Sequence, residues 1–159
     1  AAVNQPTENV DLNEVLHNIQ MDLEVLIQDK KAMFQYEKLP TVVGAPVLLY
    51  QLFYNLVNNS IKFSKSDEPP VITLESSTVN LEGNLFAKIV LGDNGIGFEQ
   101  EHAERIFATF TRLNSKDQYE GTGLGLALCK KIVQRHGGFI SARGEKNKGA
   151  EFSVFLPIK

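Results

Sequence analysis

The sequence predicts an α+β two-layer sandwich, with helices on one face of a mixed, mostly antiparallel sheet. Two observations carry this reading. Apolar residues recur at helical spacing at Leu12, Val15, Leu16, Ile19, Leu23, Leu26 and Ile27, and again along 47–63. Four β-rich runs fall into two pairs, 71–79 with 85–91 and 139–143 with 151–156. The 159 residues suit one domain. An apolar content of 43% with 22% charged residues excludes a disordered tail. The single cysteine, Cys129, excludes an internal disulfide framework. No apolar run approaches the ~18–20 residues of a membrane span, so no direct membrane insertion is expected. With 16 basic against 19 acidic residues, the net charge of −3 argues against a nucleic-acid partner bound through counterion release. The chain does not begin with Met and shows no signal peptide, so it reads as a fragment of something longer.

The elements follow in order. Residues 1–9 are polar and aperiodic and read as a linker stub, with the domain proper over 10–159. Asp11 and Glu14 form a capping-box pattern before a helix that should end near Lys30. Residues 32–38 alternate weakly and suit a strand. Pro40 and the stretch 44–46 interrupt the chain, and Pro46 suits the first turn of a helix running to about Phe63. Residues 64–70 form a loop. The runs 71–79 and 85–91 make an antiparallel hairpin around Glu82, Gly83 and Asn84. Residues 100–107 suit a short helix, and the polar stretch 111–123 has the length of a functional loop. A last helix runs from about Leu124 to His136, stopped by Gly137 and Gly138. A second hairpin, 139–143 with 151–156, completes the sheet.

Three clusters carry candidate chemistry. On the helix around 47–63, Gln51, Asn55, Asn58, Asn59 and Lys62 fall in one narrow stripe at 100° per residue, beside a broad apolar arc. Asn is a weak helix former, and a solvated stripe would ordinarily carry Glu and Lys. The stripe is either an Asn-rich surface or a set of neutral oxygen ligands with one cation. The second option suits Mg²⁺ beside phosphates, with Lys62 as a point charge. Next comes Asp93-Asn94-Gly95-Ile96-Gly97, directly after a strand. Glycine at 95 and 97 permits positive φ and close approach of a ligand, and Asp93 can accept from an exocyclic amine. The same residues also make a strong turn. The last cluster, GTGLGL at 121–126, opens a helix. It exposes N–H donors to an anion, or else serves as a hinge. It lacks the G-K-[ST] ending of a Walker A loop and the spacing of a dinucleotide-binding fingerprint.

Together these motifs resemble the ATP-binding catalytic domain of sensor histidine kinases, within the GHKL group that also includes DNA gyrase. NLVNNSIKFS (55–64) resembles that family's N box and DNGIGF (93–98) its G1 box. IFATFTRL (106–113) resembles its F box, GTGLGL (121–126) its G2 box, and GAEFSVFLP (149–157) its final strand. The resemblance implies a Bergerat-type fold that takes ATP and Mg²⁺. It implies that Asp93 bonds the adenine amino group, that Asn59 is the Mg²⁺ ligand with Asn55 beside it, and that Lys62 contacts a phosphate. Gly95, Ile96 and Gly97 then shape the adenine pocket. Gly121, Thr122, Gly123, Leu124, Gly125 and Leu126 cradle the triphosphate. Residues 99–120 form a lid anchored by Phe107 and Phe110, and Arg112 reaches the γ-phosphate on closure. Phe63 packs against the base or in the core. Asn55, Lys62 and Arg112 are the residues assigned to catalysis.

The resemblance further implies transfer of the γ-phosphoryl group to a histidine on the dimerisation/phosphoacceptor domain of the same parent protein, with a response regulator downstream, in the cytoplasm. A nucleotide-sensing module that transfers nothing, or a serine kinase of the anti-sigma type, are the rival readings. This chain departs from the pattern at two positions. Gln51 stands where hydrolysing relatives have Glu, and an amide is no general base. Glu151 stands where the family often has Thr next to the adenine. The phosphoacceptor His motif is absent. His17 suits a surface or packing role, His102 a solvated one, and His136 a cation at a helix C-terminus. Cys129 suits a small buried hydrophobe.

Overall fold

Strand and helix propensities resolve as expected into an α+β sandwich, in a computed structural model that describes residues 6–107 and 125–158. The chain opens with β1 (Glu8–Asp11), α1 (Leu12–Asp22) and α2 (Glu24–Lys30). It continues with β2 (Met33–Tyr36), β3 (Thr41–Gly44) and α3 (Pro46–Lys62). A long hairpin, β4 (Val71–Leu81) and β5 (Asn84–Asp93), leads to 3-10 turns at Gln100–His102 and Arg105–Phe107. Then come α4 (Gly125–Arg135), β6 (Phe139–Glu145) and β7 (Gly149–Pro157). The main sheet has the order β2-β4-β5-β7-β6, parallel only between β2 and β4. β1 and β3 form a separate antiparallel pair.

The core lies between α1, α3 and α4 and one face of the main sheet. Leu12, Leu16, Ile19, Leu49, Leu52, Phe53, Leu56 and Ile61 meet Ile72, Ile89, Leu91 and Val154 there, all essentially inaccessible to water. Strand alternation fixes the faces. Ala87, Ile89 and Leu91 of β5 are buried with Phe152, Val154 and Leu156 of β7. Phe86, Lys88 and Phe155 lie on the open face, where Phe139 stacks on Phe155 at 4.3 Å and Lys88 sits over the Phe155 ring.

Three elements differ from the sequence reading. Glu8 and Asn9, expected in a linker stub, begin β1 and pair with Gly44 and Val43. Four-residue strands such as β1 and β3 are too short for alternation to register. The helix expected to run unbroken to Lys30 divides at Leu23, which stays buried while α2 contributes no fully buried residue. Asp11 does cap α1, accepting from the Asn13 amide at 2.9 Å. Asn13 in turn clamps Leu39 through both its backbone groups, at 2.9 and 2.8 Å. Residues 100–107 form two 3-10 turns in place of one helix, with only Ile106 and Phe107 buried.

His136, read as a cation complementing a helix C-terminus, has both ring nitrogens bonded to backbone. Its Nε2 accepts from the buried Ala45 amide at 3.1 Å, so that nitrogen carries no proton. Its Nδ1 lies 2.8 Å from the Ile132 carbonyl and donates to it. The ring thus ties the end of α4 to the N-cap of α3, over Gly44, where a Cβ would lie 2.8 Å from Nε2. His136→Ala strands the buried Ala45 amide and is expected to cost about 1–3 kcal/mol of unfolding free energy in urea titration.

Candidate nucleotide site

Three elements converge at the C-terminal end of α3. The stripe on α3 is placed as the helical wheel predicts. Gln51 and Lys62 are exposed, while Asn55, Asn58 and Asn59 are half-buried. Asn55 hydrogen bonds through its side chain to Cys129 of α4. Cys129 is fully buried, and burial pushes its thiol up to about 12, so it is a neutral group that packs and bonds the Leu52 carbonyl. Asn59 faces the start of α4, its Nδ2 lying 3.9 Å from where a Cβ on Gly125 would stand. The amide stripe therefore looks toward the first turn of α4.

On its other side α3 meets β5. Asp93 is the last residue of β5 and shares its face with Ala150, its partner in β7. Ser60 Oγ donates to Asp93 Oδ2 at 2.8 Å, and the Gly95 amide donates to Oδ1 at 2.9 Å. Burial raises the Asp93 carboxyl above its usual range. The donors from Gly95, Ser60 and the Ala150 backbone act against that shift and favour the ionised form. Asp93 thus receives donors from α3, from the loop after β5 and from β7, on the side of α3 away from the amide stripe. Ser60 was missed by the sequence reading. It falls inside the apolar arc of α3, and a lone hydroxyl there was the available signal.

The loop after Asp93 is fixed by backbone contacts. The Ile96 amide donates to the Phe63 carbonyl at 3.0 Å, and Asn147 N–H donates to the Ile96 carbonyl at 2.6 Å. Glycine at 95 and 97 permits positive φ and close approach. Only Gly97 uses a positive φ, at 64°. Gly95 is required by close approach, since a Cβ there would lie 2.5 Å from the Phe63 oxygen. Phe63 is half-buried and contributes this carbonyl to the loop. Asn94 points elsewhere, accepting from the Val71 amide at 2.7 Å and donating to Pro69 and Glu68, which pins the loop before β4. Phe98 is buried over Gly144, and Gln100 bridges the same strand, accepting from the Gly144 amide at 2.9 Å.

Other expected positions are placed as follows. Phe107 is buried edge-on against Phe152, with ring centroids 6.3 Å apart, which makes it a core anchor. Glu151 pairs with Gly92 and is exposed on the open face, opposite Asp93. Glu151 lines one cavity with Gly92 and Asp93. Leu126 is half-buried on α4. Phe110, Arg112, Gly121, Thr122, Gly123 and Leu124 lie outside the described residues. His102 is partly covered and lies 3.8 Å from Glu101, less solvated than expected. Among the described residues, no three His, Cys, Asp or Glu side chains gather to hold a metal. No described helix is long and apolar enough to cross a membrane.

A carboxylate bonded to α3, a half-buried amide stripe and a glycine-bearing loop thus lie around one helix. The model of the Histidine kinase-, DNA gyrase B-, and HSP90-like ATPase family covers residues 44–159. The chain belongs to this ATPase family. Over 137 residues the ATPase domain is 39% identical to cyanobacterial phytochrome A from a Nostoc species, covering 86% of this chain and 17% of that protein. Phytochrome-like protein Cph1 from Synechocystis is 36% identical over 148 residues, 93% of this chain and 19% of the relative. The ATPase domain thus spans about a fifth of either relative. Its fold superposes on the mycobacterial sensor histidine kinase MprB with a TM-score of 0.76 at 25% identity, over 96% and 97% of the two chains. These relatives place it in the histidine-kinase branch, as a catalytic domain with an ATP-binding fold.

Proposed function

We propose that this ATPase domain binds ATP with Mg²⁺ and donates the γ-phosphoryl group to a histidine on a separate phosphoacceptor domain of its parent protein, with a response regulator as the onward partner. The observation that carries this is the Asp93 carboxylate at the end of β5, given a donor by Ser60 of α3 and another by Gly95. An ionised carboxylate accepts from the adenine amino group. The solved full-length ShkA, which this chain matches with a TM-score of 0.78 at 25% identity, is a complex with AMPPNP, an ATP analogue.

The donor set fits Mg²⁺ in a particular way. Among the described residues there is no acidic cage. Magnesium is commonly bound by one or two protein oxygens, several waters and substrate phosphates, and the Asn59 amide oxygen supplies a neutral ligand of that kind, with Asn55 beside it. When bound, the ion neutralises charge on the phosphates. This chain's own residues do the rest. Asp93 and the 95–97 loop hold the base, Lys62 adds a cation to the phosphates, and Gly125 leaves room at the first turn of α4. Arg112 and the 121–124 stretch are proposed to complete the phosphate contacts. Phosphoryl transfer asks mainly for such positioning and charge neutralisation. Gln51 is exposed and cannot act as a general base on water.

The isolated chain, incubated with γ-labelled ATP, is expected to bind nucleotide, release little phosphate and retain no label. Acid-labile label retained on this chain alone overturns the requirement for a separate acceptor domain. Acid-stable label on a partner protein favours the serine-kinase reading.

A further inference from the structure

Ser60 and Ser64 are the only polar side chains fully buried among the described residues. Ser60 lies on the face of α3 that otherwise buries Leu49, Leu52, Phe53, Leu56 and Val57. A hydroxyl there is costly unless it is paired. In a helix, serine usually pairs by bonding back to the carbonyl one turn earlier. This one instead reaches across to β5 and donates to Asp93 Oδ2 at 2.8 Å. The Gly95 amide holds the other oxygen at 2.9 Å. The two oxygens of one carboxylate are therefore fixed from opposite sides, one by α3 and one by the loop.

We propose that Ser60 is a positioning residue that sets base selectivity, by holding Asp93 as a pure acceptor that takes a 6-amino purine and rejects a 6-oxo purine. The inference rests on the reading of Asp93 as the adenine contact. An ionised carboxylate can only accept, so it pairs with an exocyclic amine and repels a carbonyl. A protonated carboxyl gains an O–H donor and can bond a 6-oxo group. Burial pushes Asp93 toward that protonated form, and the Ser60 hydroxyl opposes it. Arg143, Glu145, Lys148 and Glu151 line one cavity with Asp93, so their charges bear on its carboxyl alike in every Ser60 variant. Lys62 ends α3 in solvent, and Glu68 is bonded by the Asn94 amide. Glu151 and Arg143 are cross-strand partners on the open face, and Glu145 pairs with Lys148 at the β6–β7 turn. The facing residues of β4 and β7, Ile72 and Ala150, are uncharged.

The test compares binding of ATP and ITP, differing at the 6-position of the purine, to the wild-type chain, Ser60→Ala, Ser60→Thr and Asp93→Asn between pH 5 and 8. Loss of the hydroxyl in Ser60→Ala removes a donor to the ionised form, so protonation of Asp93 begins at higher pH. The expected result is about tenfold weaker ATP binding, a smaller ATP-to-ITP ratio, and an acid loss of ATP binding moved to higher pH. Ser60→Thr keeps the hydroxyl and should restore the ratio. A purely structural role would weaken both nucleotides alike and leave the ratio and the pH midpoint in place, which overturns the proposal. If Asp93→Asn also binds ATP as well as wild type, the adenine reading itself falls. If Asp93→Asn loses ATP while Ser60→Ala keeps the wild-type ratio, only the role of Ser60 falls.

Discussion

Asp93→Asn is expected to abolish nucleotide binding while leaving the domain folded. The native carboxylate offers an oxygen to Ser60 and another to Gly95. Asparagine has the same shape but only one oxygen. With that oxygen facing the Gly95 amide, its NH₂ group faces Ser60, whose hydroxyl can turn and accept. The bonds to Gly95 and Ser60 survive the exchange. The base does not gain the same relief, because an adenine amino group then meets an amide NH₂. Sites built around a buried polar contact discriminate strongly when the contact cannot form. An affinity loss of at least about 100-fold is expected by calorimetric titration with AMPPNP. The unfolding midpoint should move little. Unchanged affinity would count against the whole assignment of the site.

Gly97→Ala should be nearly as severe, for a reason of backbone geometry. Gly97 has φ 64°, where a side chain is disfavoured. A Cβ would also lie 2.2 Å from the Glu145 carbonyl oxygen and 2.6 Å from that of Gly149. Both obstacles are backbone atoms of the β6–β7 hairpin, so no side-chain rotation relieves them. The loop must lift off the hairpin, breaking the bond from Asn147 N–H to the Ile96 carbonyl. Since Ile96 N–H also anchors to Phe63, the displacement reaches the C-terminal end of α3. The expected cost is about 1–3 kcal/mol of backbone strain before the clashes are counted. ATP affinity should drop by about two orders of magnitude, while far-UV circular dichroism shows the sheet and helices retained. Gly83→Ala is the matched control. Gly83 also has positive φ, but nothing lies within 4 Å of a Cβ there, and it sits at the opposite end of β5. That variant should bind ATP normally.

Much of this was legible in the sequence, for identifiable reasons. The α3 stripe was readable because helical geometry converts spacing directly into direction, and Asn55, Asn58 and Asn59 do share a half-buried face. The two hairpins were readable because turn residues bracket alternating runs. Glu151 could not be placed, because its distance from the site depends on which face of β7 it occupies, and a single-residue register difference reverses that face. The linkage through His136 was illegible for another reason. It joins residues 91 positions apart, and no local pattern reports the partner of an imidazole. Gly95 and Gly97 illustrate both cases. Their need for glycine was visible, but not its causes: both lie against a backbone carbonyl, and Gly97 alone adds a positive φ.

The same distinction explains Ser60. Its position in the apolar arc was available from the sequence, yet its partner on β5 appears only once α3 is packed on the sheet. Asn55 and Cys129 repeat this pattern between α3 and α4. The helix α3 therefore bonds to β5 through Ser60 and to α4 through Asn55.

The most direct measurement mixes this chain with γ-labelled ATP and the separately produced phosphoacceptor domain of its parent protein. The account predicts label on that domain, lost in acid and kept in alkali as phosphohistidine is, and absent when Asp93→Asn replaces the wild-type chain. A chain that binds ATP with wild-type dependence on Asp93, yet leaves the acceptor domain unlabelled, would contradict the transfer and leave a nucleotide sensor in its place.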